Sequence, residues 1–139
     1  FRPDYGDMTL FAFGEDDEPA GPDKYNQGVD MDYLSTMVER LDKRMPGMSQ
    51  ATFRRGWSGL FTTTPDWHPI LDTVEGVDGL YCAVGFSGHG FKLSPMVGIT
   101  MAELIINGRS KTINISPFRM GRFRDGALLR SKYRLQVMA

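Results

Sequence analysis

Residues 79–95 read GLYCAVGFSGHGFKLSP. An apolar, strand-like run from Gly79 to Val84 enters a glycine-dense turn, and an apolar helical pattern leaves it. Gly85, Gly88 and Gly90 let the backbone take positive φ angles and come close to a ligand. The turn then feeds the start of a helix, where N–H groups without intrahelical partners and the helix dipole favour negative charge. That geometry suits a phosphate or an electron-rich cofactor ring. The spacing is G-x-x-G-x-G, not the G-x-G-x-x-G of a dinucleotide pyrophosphate loop. Spacing alone therefore allows only a candidate anion or cofactor turn, and tight strand-to-helix packing would explain the same glycines.

Outward from this stretch, residues 68–73 and 79–84 read as strands flanking the turn VEGVDG. Ser94 reads as the cap of a helix with Pro95 at its first position, running to about Asn107 and stopped by Gly108. Its residues are apolar nearly all round, which predicts a helix buried between layers. Upstream, FRP at the start and MTLFAF at 8–13 read as strands, and Gly14 to Gln27 as an acidic loop. Asp30 is positioned to cap a helix over Met31–Met45. Met31, Leu34, Val38, Leu41 and Met45 form its apolar face, and Pro46-Gly47 stop it. Residues 51–61, ATFRRGWSGLF, read as a further strand. Strands and helices without regular alternation predict an α+β (mixed α/β) fold.

Composition narrows the classes. A chain of 139 residues, 41% hydrophobic and 24% charged, describes a soluble globular protein with one sizeable core. A net charge of −1 gives no general electrostatic reason to expect nucleic acid or membrane binding. Phe118 to Arg134 is locally basic and reads as a solvated or interface segment. A single cysteine, Cys82, forms no internal disulfide and reads as a small buried hydrophobe in mid-strand. No signal peptide or membrane span is visible, which makes the cytoplasm the expected address. His68 and His89 are the only histidines, in no metal-ligand spacing, so no metal site is expected. GFSGHG is not the G-x-S-x-G of a hydrolase elbow.

The string GFSGHGFK (85–92), preceded by TTPDWHPI (63–70) and followed by SPF (116–118), resembles the carboxy-terminal part of the FAD-dependent amine oxidoreductases. This is the family of D-amino-acid oxidase, glycine oxidase, sarcosine oxidase and dehydrogenase, and dimethylglycine dehydrogenase. The likeness runs from about Phe1 to Tyr133 and is densest from Arg55 to Pro95. It corresponds to the last third or so of such an enzyme and includes no match to the strand–GxGxxG–helix unit that holds the ADP half of FAD. With a first residue Phe1 that is not Met, the chain reads as a fragment whose upstream partner is the remaining amino-terminal part of the same polypeptide. By the resemblance, residues 1–58 belong to the substrate domain and 59–125 to the FAD-binding domain, with 126–139 a basic tail.

The resemblance also implies roles. A flavin gathers negative charge on reduction, and backbone N–H groups, a helix start or a cation stabilise it. Gly88, His89, Gly90, Phe91 and Lys92 are thereby assigned to the cofactor site. In relatives the T-P-D segment passes close to the flavin, which makes Thr63 and Pro65 further lining candidates. Lys92 is the expected catalytic cation, since the matching lysine of sarcosine oxidase-like members faces the flavin and helps hold the substrate carboxylate. His89 orients the turn, and His68 makes structural hydrogen bonds. Trp57 and Phe61 either wall the active site or pack a core. Relatives that bind FAD covalently through a cysteine just before T-x-T-P-D have Gly59 at that position here, so FAD is expected to be held non-covalently by this segment. The histidine of sarcosine oxidases in the early strand falls at about Phe13 or Gly14, which leaves the substrate open.

The parent activity implied is oxidation of the C–N bond of a small amine or amino acid, with FAD accepting hydride and the fragment alone inactive. Two alternatives compete with it. One is a non-catalytic binding or assembly module that retains the carboxy-terminal half of the fold; the other is an anion-binding domain for a free phosphate ligand.

Overall fold

The computed structural model describes residues 1–12 and 20–130. The expectations for Phe13, Gly14, much of the acidic loop and the end of the basic tail lie outside those residues. The chain divides into two compact units, Phe1–Leu60 and Phe61–Ala139.

In the first unit, β1 (Arg2–Asp4) pairs antiparallel with β2 (Met8–Leu10), with Arg2 opposite Leu10. Gly6 and Asp7 both have positive φ, 70° and 58°, which turns the chain tightly between the two strands. α1 spans Met31–Arg44, close to the predicted bounds. Asp30 stands at its N-cap, but its carboxylate accepts Asn26 Nδ2 at 2.6 Å and caps no helical N–H. The inward face runs through Leu34, Met37 and Leu41, and Met37 is the buried member. Met31 and Val38, predicted for that face, are exposed, because the inward stripe lies about one position away from them. A 3₁₀ turn, Pro46–Gln50, follows.

The predicted strand 51–61 is not a strand. Its cross-chain bonds come from Ser58, whose N–H donates to Gln27 O at 3.1 Å and whose hydroxyl donates to Gly28 O at 2.6 Å. Bonds from one residue do not make a ladder, which needs alternating pairs along both chains. A Cβ on Gly56 would run into Val29, so the segment lies close against the 26–29 loop without pairing with it.

In the second unit, β3 (Ile70–Thr73) and β4 (Tyr81–Val84) form an antiparallel hairpin with Ile70 opposite Val84 and Asp72 opposite Cys82. Cys82 is only half-buried, and that burial pushes its thiol pKa up. Leu71 and Ile115 are the buried apolar side chains here. Two 3₁₀ turns, Ser116–Phe118 and Met120–Arg122, return the chain to β3, where Met120 N–H donates to Asp72 Oδ2 at 2.8 Å. The mixed α/β class is as expected.

α2 spans Gly90–Asn107 and ends at Gly108, whose φ of 69° closes the αL cap that the sequence predicts. Its start differs. Pro95 lies inside the helix, not at its first position. A proline there cannot donate to the carbonyl four residues back, that of Phe91. The Ser94 hydroxyl donates to Phe91 O at 2.8 Å instead, so the orphaned acceptor is satisfied and the helix extends back to Gly90. Nor is α2 buried all round. Thr100 is its buried residue, while Leu93, Met96, Ile99, Ile105 and Ile106 are exposed, because a two-stranded hairpin covers only one side of a helix. No helix among the described residues is long and apolar enough to cross a membrane.

Candidate active site

The site is built in two layers within the second unit. The outer layer consists of the exposed residues Thr63, Pro65, Gly88, Phe91 and Lys92, with His89 and Gly90 half-buried beside them. The inner layer consists of Thr64, Asp66, Gly85 and Ser87, all buried. The alternation along the T-P-D segment has a local cause. Thr64 O accepts Trp67 N–H at 3.0 Å, closing a turn with Pro65 at its second position, where proline's fixed φ is favoured. Trp67 completes the turn with φ of 60°.

Two hydrogen bonds, one backbone to backbone and one backbone to side chain, lay this turn alongside the glycine turn. Ser87 N–H donates to Thr62 O at 3.1 Å, and Thr64 N–H donates to Ser87 Oγ at 3.3 Å. Gly85 has φ of +68° and Gly88 of +82°, as predicted. A Cβ on Gly85 would stand 2.5 Å from Thr64 Cγ2, so the close approach needs a glycine as much as the dihedral does. Gly90 departs from expectation. It is the first residue of α2 with helical geometry, and its missing Cβ instead leaves room for Phe86, 3.3 Å from where that atom would be. The third left-handed residue is Ser87, with φ of 48° and only 1% exposed. No glycine pattern signals it, and its role rests on one side-chain bond to another segment.

Sequence reasoning also missed Asp66 and Arg122. Arg122 falls in the run read as a solvated basic segment, yet it is fully buried. Nε donates to Asp66 Oδ2 at 2.7 Å, and Nη2 donates to Asp66 Oδ1 at 2.9 Å and to His68 O at 2.7 Å. Nη1 donates to Phe118 O at 3.0 Å and to Arg119 O at 3.1 Å, so all five N–H groups are used. The guanidinium carbon lies over the Phe123 ring, 4.1 Å from its centroid. Asp66 also accepts the N–H groups of His68 at 3.2 Å and Leu129 at 3.2 Å. Burial alone would raise the Asp66 pKa, but the Arg122 guanidinium and the two backbone N–H groups more than reverse that and hold the carboxyl well below the usual range. The arginine was illegible because its partner is 56 residues away.

Both histidines have the structural bonds expected of them. The His68 ring meets Asp66 O, and His89 Nδ1 lies 3.3 Å from Phe86 O while its N–H donates to the same oxygen at 2.8 Å. The Phe61 ring lies against Gly88, 3.4 Å from where a Cβ would be. Trp57 belongs to the first unit and is exposed. A separate open groove of about 530 Å³, lined by Asp72, Glu75, Arg119, Arg124 and Asp125 among others, includes none of the predicted site residues.

The surface so formed pairs a helix start, a lysine in its first turn, a threonine hydroxyl and two aromatic rings. The first turn of α2 contains no acidic residue, so nothing within it offsets the dipole. Such a donor set fits the electron-rich edge of a flavin.

Comparison with known proteins gives the family. The family model for FAD dependent oxidoreductases (DAO) matches residues 1–104, and the chain belongs to that family. It is 37% identical over 111 residues to the FAD-dependent oxidoreductase domain-containing protein 1 of Bos taurus, covering 78% of this chain and 23% of that protein. It is 31% identical over 122 residues to the monomeric sarcosine oxidase of Bacillus sp. (strain NS-129), covering 80% and 31%. The crystal structure of L-proline dehydrogenase from P. horikoshii superposes with a TM-score of 0.71 at 32% identity, covering 76% of this chain and 28% of that one. The chain thus spans between a fifth and a third of the length of these relatives.

Proposed function

We propose that this chain is the carboxy-terminal part of an FAD-dependent enzyme that oxidises the C–N bond of a small amino acid or N-methyl amine. The observation that supports the reading is the pair of hydrogen bonds, Ser87 N–H to Thr62 O and Thr64 N–H to Ser87 Oγ, that lays the two motif segments side by side, with Thr63, Pro65, Gly88, Phe91 and Lys92 exposed. FAD, when bound, supplies the acceptor for the hydride, and with it the two electrons, removed from the substrate. The N–H groups at the start of α2 and Gly88 would hold the ring's electron-rich edge, and Phe91 and Phe61 would shield it from water. Lys92 would orient the substrate carboxylate as a point cation on a flexible stem. Proline and sarcosine, the substrates named for the relatives above, both carry a carboxylate beside a secondary amine. FAD would be held non-covalently here, with its ADP half bound by the remaining part of the polypeptide. On that reading 1–58 contributes to the substrate domain and 59–125 to the FAD-binding domain, and the isolated chain has no turnover.

The test uses the full-length protein loaded with FAD and assayed against sarcosine, proline, glycine and D-amino acids. Lys92→Met is expected to raise KM for the carboxylate-bearing substrate roughly 10- to 100-fold, as expected for losing a charged hydrogen bond. It leaves oxidation of an amine without a carboxylate little changed. An FAD-loaded protein that oxidises none of these amines would sink the reading.

A further inference from the structure

A buried ion pair is weak grounds for stability, because well-packed apolar residues often serve as well. What its directional bonds supply is a fixed arrangement. The acceptors of Arg122 fall into two sets: Asp66 and His68 O in the T-P-D turn, and Phe118 O and Arg119 O in its own segment. One guanidinium therefore ties the 116–122 turns to the underside of Pro65. From there the Thr64 hydroxyl lies 3.1 Å from Asp66 Oδ1 and 2.8 Å from His68 O, Thr64 N–H reaches Ser87 Oγ, and Ser87 adjoins Gly88. The path has no slack: Gly85 has no space for a Cβ beside Thr64, and among the described residues no buried side-chain polar atom lacks a partner.

We propose that Arg122 is a positioning residue for the cofactor-facing surface, setting through Asp66, Thr64 and Ser87 the separation between the Thr63–Pro65 edge and the Gly88–Lys92 turn. The inference rests on the reading that a flavin lies on that surface. It separates Arg122 from Arg124, two residues on, whose side chain is 71% exposed and pairs with Glu75 in solvent.

The experiment measures the Kd for FAD and the visible absorption band of bound flavin in the full-length protein. The variants are Arg122→Lys, Ser87→Ala and, as control, Arg124→Gln, with circular dichroism reporting that each is folded. Arg122→Lys keeps the charge but loses the fork. Ser87→Ala cuts the path without exposing a buried charge, and decides alone if the lysine variant does not fold. The expected result is FAD affinity at least about tenfold weaker and a shifted band for both, with Arg124→Gln like wild type. Folded variants that merely melt at lower temperature, with wild-type Kd and band, would show that the pair only supports the fold. Wild-type protein that takes up no FAD overturns the flavin reading itself, whereas uptake with indifferent variants overturns the positioning role alone.

Discussion

Arg122 and Arg124 leave the same short segment and reach acids on either side of β3, yet they meet different solvents. Arg122 and Asp66 are shut away from water, with side chains 0% and 1% exposed. Arg124 and Glu75 meet at 3.0 Å with most of both side chains in solvent. A charge pair in water is screened, and holding two long side chains together costs entropy, so its contribution is small. A buried pair gains little over apolar packing, but removing one partner strands the other charge without hydration. The same chemistry is thus a surface detail in one place and a structural dependency in the other. What distinguishes the two is depth.

The sharpest way to break that contrast is Arg122→Met. It is expected to destabilise the protein by about 3–5 kcal/mol, the usual cost of orphaning a buried charge, read from the urea midpoint. A loss no larger than that of Arg124→Gln would erase the distinction.

A second test stays in the buried layer but removes no charge. Gly85→Ala places a methyl 2.5 Å from Thr64 Cγ2 at φ of +68°. The clash and the left-handed strain together are expected to cost about 2–3 kcal/mol. Thr64→Ser removes the offending methyl, so the double variant should regain part of the loss in thermal melts. Simple additivity would show that crowding is not the cause.

Glu103 probes the exposed side by pH. Its carboxylate accepts Lys111 N–H at 2.7 Å, Thr112 N–H at 2.9 Å, the Thr112 hydroxyl at 2.7 Å and the Ser110 hydroxyl at 3.0 Å, stapling the chain just past Gly108 to α2. The Thr112 bonds above all lower its pKa from 4.5 to about 2. A carboxyl whose pKa is lower in the folded state contributes stability above its unfolded value and loses it as pH falls through the folded one. The stability difference between wild type and Glu103→Gln should therefore be constant above about pH 5 and shrink from pH 4.5 towards 2. A difference that does not vary over that window would mean the staple contributes nothing. The smallest effect is expected from Arg124→Gln, which should leave the melting midpoint unchanged at physiological salt.

The contrast of depth also explains what could be read in advance. Local signals were legible: the bounds of α1, the hairpin around VEGVDG, the αL turn at Gly108 and the positive φ of Gly85 and Gly88 each follow from a few neighbouring residues. Motif resemblance picked out Thr63, Pro65 and Gly88 to Lys92, whose two segments lie side by side through the bonds of Ser87. The inner layer was not legible. Ser87 and Arg122 acquire their roles from partners 23 and 56 residues away, and composition gives them the look of a turn serine and a surface arginine. The start of α2 was misread for a similar reason, since Pro95 followed by apolar residues looks like a first turn until the Ser94 hydroxyl is seen to replace the missing bond. Strand 51–61 failed because apolar and aromatic content does not supply a pairing partner.

Pro95 has one consequence of its own. In an uninterrupted helix each turn is latched to the next by backbone bonds, so a push on the first residues is felt along the shaft. Here the latch from residue 95 to the carbonyl of Phe91 is absent, and a side-chain hydroxyl, which can rotate, stands in for it. The first turn of α2, which carries Lys92, is therefore joined to the turns beyond it by one backbone bond fewer than in an uninterrupted helix.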